Sequence, residues 1–397
     1  MARGARTIGL RIAETKGHTA GFDVLRITLA VAVLCWHGIF VSYGQDYADT
    51  IWASPLRVLP SLVLPMFFAL SGYLVAGSLF RSRTLAEFFV LRVLRLMPAL
   101  FVEVCLSALV LGPLVTNVSW SSYFSSKQFF SYWGNIVGHI QFRLPGVFED
   151  NPVSGFVNAS LWTVPVELEC YIALGLLAAI SITRKPAVLF LLFIGASVAF
   201  PCFEFYKWHG WPWTTPANLL LVLSFLAGLL LYVGRDHVPL RRDLFGLSVL
   251  VSIAALTRPD TCYLSPLPIA YATVYIGLLN PPRIPVLMSG DYSYGVYLYA
   301  FPIQQTFCWA FPSYRVWWLN ILIALPATLA MAAFSWNIVE KPVLGRKKFL
   351  TSLITQQIAN AKRQFQNQMQ VVTRPTRQPA ANATEVEPRV PAGVPAE

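Results

Sequence analysis

Residues 21–40 read GFDVLRITLAVAVLCWHGIF. A helix that crosses a bilayer needs roughly 20 mostly apolar residues, and this stretch supplies them. It lacks a clear small-residue cleavage site and carries Arg26 and His37, so it reads as a retained span and not as a removed signal peptide. Working outward, stretches of the same kind recur at about 56–80, 88–113, 160–183, 187–204, 217–234, 244–257, 262–279, 289–312 and 316–339, the seventh being short. Of 397 residues, 56% are hydrophobic and 12% charged, with a mean hydropathy of +0.56. A soluble domain is about 25% charged. Those numbers exclude a soluble globular protein and point to an all-α integral membrane protein of about ten transmembrane helices.

Lys and Arg collect in cytoplasmic loops, so charge gives orientation. With the N-terminus inside, one face receives Arg3, Arg6, Arg11, Lys16, Arg81, Arg83, Arg92, Arg95, Arg184, Lys185, Arg235, Arg241, Arg242, Arg283, Lys341, Arg346, Lys347 and Lys348. The other receives only Arg57, Lys127, Arg143, Lys207, Arg258 and Arg315. Ten spans with both termini cytoplasmic satisfy that asymmetry. The net charge of +11 is then a topology signal and an affinity for anionic membrane lipids. Basic residues dispersed over a membrane face do not suggest nucleic acid as a partner. The expected organisation is a cytoplasmic segment 1–20, a membrane domain 21–345 and a Gln-, Pro- and Ala-rich tail 346–397. The tail shows no apolar periodicity and is expected to be disordered. No internal repeat and no second, soluble domain is expected.

The six cysteines have no C-x-x-C spacing and fall mostly inside spans as small apolar fillers. Cys202 and Cys262 near outer ends leave a disulfide open. The five scattered histidines argue against a metal centre. The outer segment 114–159 is rich in Ser, Asn and aromatics: Trp120, Tyr123, Phe124, Phe129, Phe130, Tyr132 and Trp133. These suit a headgroup belt or a wall for an acceptor sugar.

An ionisable group at the centre of a span costs about 2.5–3.5 kcal/mol on insertion scales, which makes it a functional candidate. Eleven residues separate Arg26 from His37, a return to within ~20° around the helix and a rise of ~16 Å. They share one helix face, one near the inner headgroups and the other past the midplane. A snorkelling arginine beside a hydrogen-bonded histidine is the bland reading; a functional stripe is the sharper one. In LPMFFALSGYLV, Ser71 and Tyr73 lie near mid-span, where packing of small residues is the plain explanation. Arg92 and Arg95 sit at i,i+3 at the start of the third span, either as topology anchors or as forks for phosphate. In SLWTVPVELECY, Glu167 lies ~10 Å below the outer end and His37 ~21 Å above the inner one. In a core ~30 Å thick the two reach nearly one depth, and a pair or a shared polar cavity is the expectation.

These stretches together resemble acyltransferase family 3, membrane-bound enzymes that O-acylate bacterial surface glycans, lipopolysaccharide and lipochitooligosaccharides. The resemblance spans about 20–345. It rests on Arg26 and His37 in R-x10-H, on FFALSGY, on Arg92 and Arg95 in R-x-x-R, and on LWTVPVELECY with Trp162, Glu167 and Tyr171. DYSYGVYLYAFP at 291–302 and VEKP with Glu340 complete it. The resemblance implies an inner-membrane enzyme that moves an acyl group, usually acetyl, from cytoplasmic acyl-CoA to a glycan or lipo-oligosaccharide hydroxyl. It puts catalysis on His37 and links Arg26, Arg92 and Arg95 to donor binding. Ser71, Tyr73, Trp162, Tyr171 and Glu340 are carried as substrate or structural positions. Many members have a histidine two positions before the proline of the ninth-span motif; here that position is Ala300. Some relatives carry a hydrolase-like domain outside the membrane, which is not expected here.

The residues alone allow the same chemistry. On this expectation arginines at the inner face would hold coenzyme A phosphates through charge-assisted hydrogen bonds. His37 would then be a general base, its imidazole suited near neutral pH, with Glu167 to orient it as in a triad; or His37 would carry the acyl group itself. The competing class is a transporter or flippase for a lipid-linked sugar, equally at home with midplane charges.

Overall fold

A computed structural model describes residues 6–15, 19–208, 218–281 and 290–372. Arg3, Lys16, Arg283 and the tail beyond 372 lie outside these. Among the described residues the chain is helical, with two isolated β-bridges, Thr7 to Pro239 and Thr116 to Val147. It divides into two compact units, Met1–Thr351 and Ser352–Glu397.

In the first unit α1 (Ile8–Glu14) precedes α2 (Ala20–Trp52), α3 (Val58–Arg81) and α4 (Leu85–Leu106). The outer segment opens with the short helices α5 (Gly112–Val115), α6 (Trp120–Ser125) and α7 (Lys127–Tyr132). Then come α8 (Thr163–Ala179), α9 (Pro186–Trp208), α10 (Asn218–Val233), α11 (Arg242–Leu256), α12 (Pro266–Gly277), α13 (Ser293–Ala310), α14 (Trp317–Ser335) and α15 (Lys341–Gly345). Among the described residues, six stretches are long and apolar enough to cross a membrane: Ala20–Trp52, Pro55–Arg81, Leu85–Val115, Ala159–Ala179, Pro186–Lys207 and Trp317–Gly345. The other four expected spans correspond to α10–α13. Of these α10, α11 and α12, with 16, 15 and 12 residues, are short for a perpendicular crossing, and α13, with 18, is long enough but less apolar, carrying Gln304, Gln305 and Thr306.

Small residues let helices meet closely where apolar burial alone gives no drive. A Cβ at Gly72 of α3 would lie 2.0 Å from the Phe225 carbonyl, and one at Gly228 of α10 would lie 2.0 Å from that of Ala69. The two backbones therefore touch, which is what the small residues of FFALSGY achieve. Tyr73, one residue on, is buried against Phe22 and Tyr232 with ring centroids 5.7 and 5.4 Å away. Further along α2, Gly44 takes φ +82° and breaks the helix against the carbonyl of Pro152, a conformation that glycine adopts without steric cost.

The outer segment is folded and not a loose belt. Tyr123 and Tyr132 are fully buried, Tyr123 donating to the Ala108 carbonyl at 2.8 Å, while Trp120 and Phe130 remain exposed. Of the seven aromatics between 120 and 133, some are therefore core and others face outward. The segment is tied down by amides. Asn158 donates to the buried Glu103 carboxylate at 2.8 Å and to the Leu298 carbonyl at 2.9 Å. Asn151 reaches the carbonyl and side chain of Gln305, both at 2.9 Å, and Gln305 in turn caps the carbonyls of Val153 and Phe156 at 2.8 and 2.7 Å. Cys202 and Cys262 are both free thiols.

The stretch expected to be disordered from 346 is helical over Lys347–Val372, α16. The reason lies in composition: Lys, Gln, Ala, Leu and Met favour helix, and Leu350, Ile354 and Ile358 recur every fourth position, a spacing the tail's polar average conceals.

Candidate active site

Two cavities of the first unit hold the candidate residues. The inner one, so named for the side expected of its arginines, is about 140 Å³ and is lined by Arg26 of α2, Ser71 of α3, Arg92 and Arg95 of α4, Thr163, Glu167 and Tyr171 of α8, and Ser293, Tyr294 and Tyr297 of α13, with apolar residues between them. The outer one, about 630 Å³, is lined by His37, Trp36 and Trp52 of α2, by Phe142, Arg143 and Phe156 of the outer segment, and by Trp162 and Tyr297. Arg26 and His37 do share a face of α2, each opening into a different cavity.

Helix α4 presents its two arginines to different partners. Arg95 donates to Asp291 at 2.6 Å and to Glu340 at 2.7 Å, and its guanidinium lies 5.4 Å from the Tyr294 ring centroid. Arg26 joins the same Asp291 at 3.1 Å. Glu340 is 1% exposed and also accepts from Ser335 at 3.2 Å. That contact exists because the helix widens to a π turn over Trp336–Glu340, which brings residues five apart onto one side. Arg92 instead donates to Ser78 at 3.1 Å and stands 5.9 Å from the Tyr171 ring. It has no carboxylate partner among the described residues. Three guanidinium groups and the carboxylate of Glu167 thus line the inner cavity, while Asp291 and Glu340 pair with Arg26 and Arg95 without lining it.

Glu167 accepts from the Tyr171 hydroxyl, one turn further along α8. The expected meeting of Glu167 and His37 does not occur: they line different cavities. Equal depth does not imply adjacency, because α8 turns Glu167 toward the arginines of α4. His37 packs edge-on against Phe301 at 5.1 Å, and its buried Nδ1 has no hydrogen-bond partner. Ala300, next to that phenylalanine, is itself buried.

The remaining expected positions separate cleanly. Ser71 and Tyr171 line the inner cavity, Trp162 the outer one, Glu340 braces Arg95, and Tyr73 belongs to the core and lines neither cavity. None of the seven aromatics at 120–133 lines the outer cavity; its aromatic wall from this segment is Phe142 and Phe156, stacked at 5.2 Å. Asp291 was not singled out in the sequence. Its signal was a carboxylate heading DYSYGVYLYAFP at the end of a span where arginines gather. No group of three or more His, Cys, Asp or Glu among the described residues could hold a metal ion.

Residues 19–340 match the family described as "Acyltransferase domain", acyltransferase family 3. "Nodulation protein 10" of Rhizobium leguminosarum bv. viciae is 28% identical over 373 residues, 88% of this chain and 98% of that protein. The "O-acetyl transferase" of Shigella phage Sf6 is 26% identical over 359 residues, 84% of this chain and 98% of that protein. No solved structure matches the chain. With the family covering most of the membrane unit and both cavities built from its residues, the chain belongs to acyltransferase family 3.

Proposed function

We propose that the protein transfers an acyl group, acetyl in the first instance, from acyl-CoA on the cytoplasmic side to a hydroxyl of a glycan on the other side of a bacterial inner membrane. The observation that carries this reading is the pair of cavities, one rich in arginine and one holding His37, meeting at Leu64 and Tyr297. Ten crossings with both termini cytoplasmic orient the pair, with α10–α13 completing the six spans of greater length and apolarity.

The inner cavity is smaller than the ~300–1,000 Å³ of a pocket for a drug-sized ligand. It suits the thin pantetheine arm of coenzyme A and not the nucleotide. Its own charges are nearly balanced, so the phosphates belong further out, toward Arg81, Arg83, Arg346 and Lys347. Arg92, bound only through Ser78, is the arginine best placed to bond the donor. Arg95, held by two carboxylates, serves to join α4 to the 336–340 turn and to the start of α13. Glu167 acts on the donor side, holding Tyr171.

The outer cavity has the chemistry of a sugar site: tryptophan and phenylalanine faces beside Gln45 and Arg143. There an acceptor hydroxyl attacks the thioester carbonyl carbon. The new C–O bond forms as the C–S bond breaks; the hydroxyl proton passes to the His37 imidazole and then to the coenzyme A thiolate. In the two-step version His37 first takes the acyl group and water-free transfer to the acceptor follows. Rapid quench separates the two, since only the second leaves acyl-His37 to be recovered.

The test is to compare surface glycans by mass spectrometry from cells with and without the protein, and to measure free coenzyme A released from acetyl-CoA by membranes containing it. Loss of one acetyl increment on deletion, with acceptor-dependent thiol release, is expected. Unchanged glycans with no thiol release would return the protein to the transporter class.

A further inference from the structure

Of all the residues lining the two cavities, only Leu64 of α3 and Tyr297 of α13 line both. They are the partition between the arginines and His37. The two sides of this partition are unlike. Tyr297 is pinned: its hydroxyl donates to the Ser160 carbonyl at 2.8 Å and lies 2.6 Å from the Thr163 hydroxyl, and its ring meets Phe67 at a centroid distance of 6.2 Å. Leu64 has an aliphatic side chain with no polar tie and is only partly buried. It is followed by Pro65 inside α3, whose missing N–H leaves the Ser61 carbonyl without its helical donor and weakens the helix ladder at this level.

We infer that Leu64 and Tyr297 form a constriction through which the acyl end of the donor reaches His37, and that the gap between them limits the width of the acyl group transferred. This rests on the donor and acceptor assignment above. A thioester held by the inner cavity and an imidazole in the outer one meet only across this partition. A fixed aromatic jaw against a movable aliphatic one admits an acetyl group, no wider than the pantetheine arm behind it, more readily than a branched acyl group. The acyl selectivity is then set by the size of residue 64, far from the charged residues that hold the donor.

The experiment uses membrane vesicles from the producing cell, carrying its own glycan, supplied with equal acetyl-CoA and isobutyryl-CoA. The ratio of isobutyryl to acetyl esters on the glycan is read by mass spectrometry. Because it is a ratio, it does not depend on how much protein folds. Leu64→Ala should raise it at least about tenfold, the low end of discrimination by methylene-sized differences in an apolar site. Tyr297→Phe, which keeps the ring and removes its two anchors, should move the ratio the same way by less. Leu64→Trp should stop transfer from both donors while acetyl-CoA still binds, measured by calorimetry on the purified protein. Transfer by Leu64→Ala at the wild-type ratio overturns the constriction. Vesicles with wild-type protein that incorporate no acyl group from either donor overturn instead the reading on which it rests.

Discussion

At the scale of single residues, His37 and the arginine pair of α4 make opposite kinds of prediction. His37 lines the outer cavity and its Nδ1 has no hydrogen-bond partner, so removing the ring leaves no buried group newly unpaired. His37→Ala should abolish glycan acylation while the protein accumulates in the membrane at normal level, checked by ester analysis beside an immunoblot. Near-normal acylation would remove His37 from catalysis. Arg95 differs, because Glu340 is buried and depends on it. Breaking a buried ion pair by deleting one partner costs about 3–5 kcal/mol. Arg95→Ala should therefore lower the melting temperature in detergent markedly, and Arg95→Ala with Glu340→Gln should recover part of the loss. Arg92→Ala should leave melting nearly unchanged and raise KM for acetyl-CoA, since Arg92 bonds only Ser78 and faces Tyr171. A melting loss as large as that of Arg95→Ala would mark Arg92 as structural.

At the scale of elements, the sequence shows which stretches are helical more readily than how they are joined. Hydropathy located the helices, six of them long and apolar enough to cross a membrane among the described residues, and the eleven-residue spacing put Arg26 and His37 on one face of α2. Depth along α8 did not report its rotation, so Glu167 came out beside the arginines. Partners 196 and 245 residues apart, Arg95 with Asp291 and with Glu340, leave no local pattern at all; only packing of α4 against α13 and the 336–340 turn reveals them. The fold of the outer segment was hidden for a similar reason. Its order comes from amides such as Asn151 and Gln305, whose meaning depends on a helix far along the chain. That clamp carries a prediction of its own. Residues 152–156, which help wall the outer cavity, hang from Gln305 through the carbonyls of Val153 and Phe156. Gln305→Leu keeps the size and forfeits both bonds together with the one its side-chain oxygen accepts from Asn151. It should raise KM for the glycan acceptor severalfold and leave KM for acetyl-CoA unchanged. Equal change in both would show that the clamp supports the whole membrane unit and not the acceptor wall.

At the scale of the whole molecule, the short helices and the charge asymmetry have to be reconciled. Helices of 12–16 residues rise only ~18–24 Å, less than a hydrocarbon core of ~30 Å. They complete a ten-span arrangement if flanking turns extend them or the bilayer thins locally, each at fractions of a kcal/mol per Å. Charge decides whether they must. If α10–α13 did not cross as four spans, the basic residues Arg235, Arg241 and Arg242 would no longer share a face with Arg95 and Lys347, against the rule that cytoplasmic loops collect Lys and Arg. Single cysteines placed at exposed positions test this in a background without native cysteines. With a membrane-impermeant maleimide on intact spheroplasts, Ser154→Cys and Arg258→Cys should react. Arg83→Cys, Arg242→Cys and Lys348→Cys should react only after the membrane is opened. The Arg242 and Arg258 positions flank α11, so labelling of both from the same side would remove that crossing. The remaining helices would then have to place the arginine cavity and the His37 cavity on opposite faces by another path.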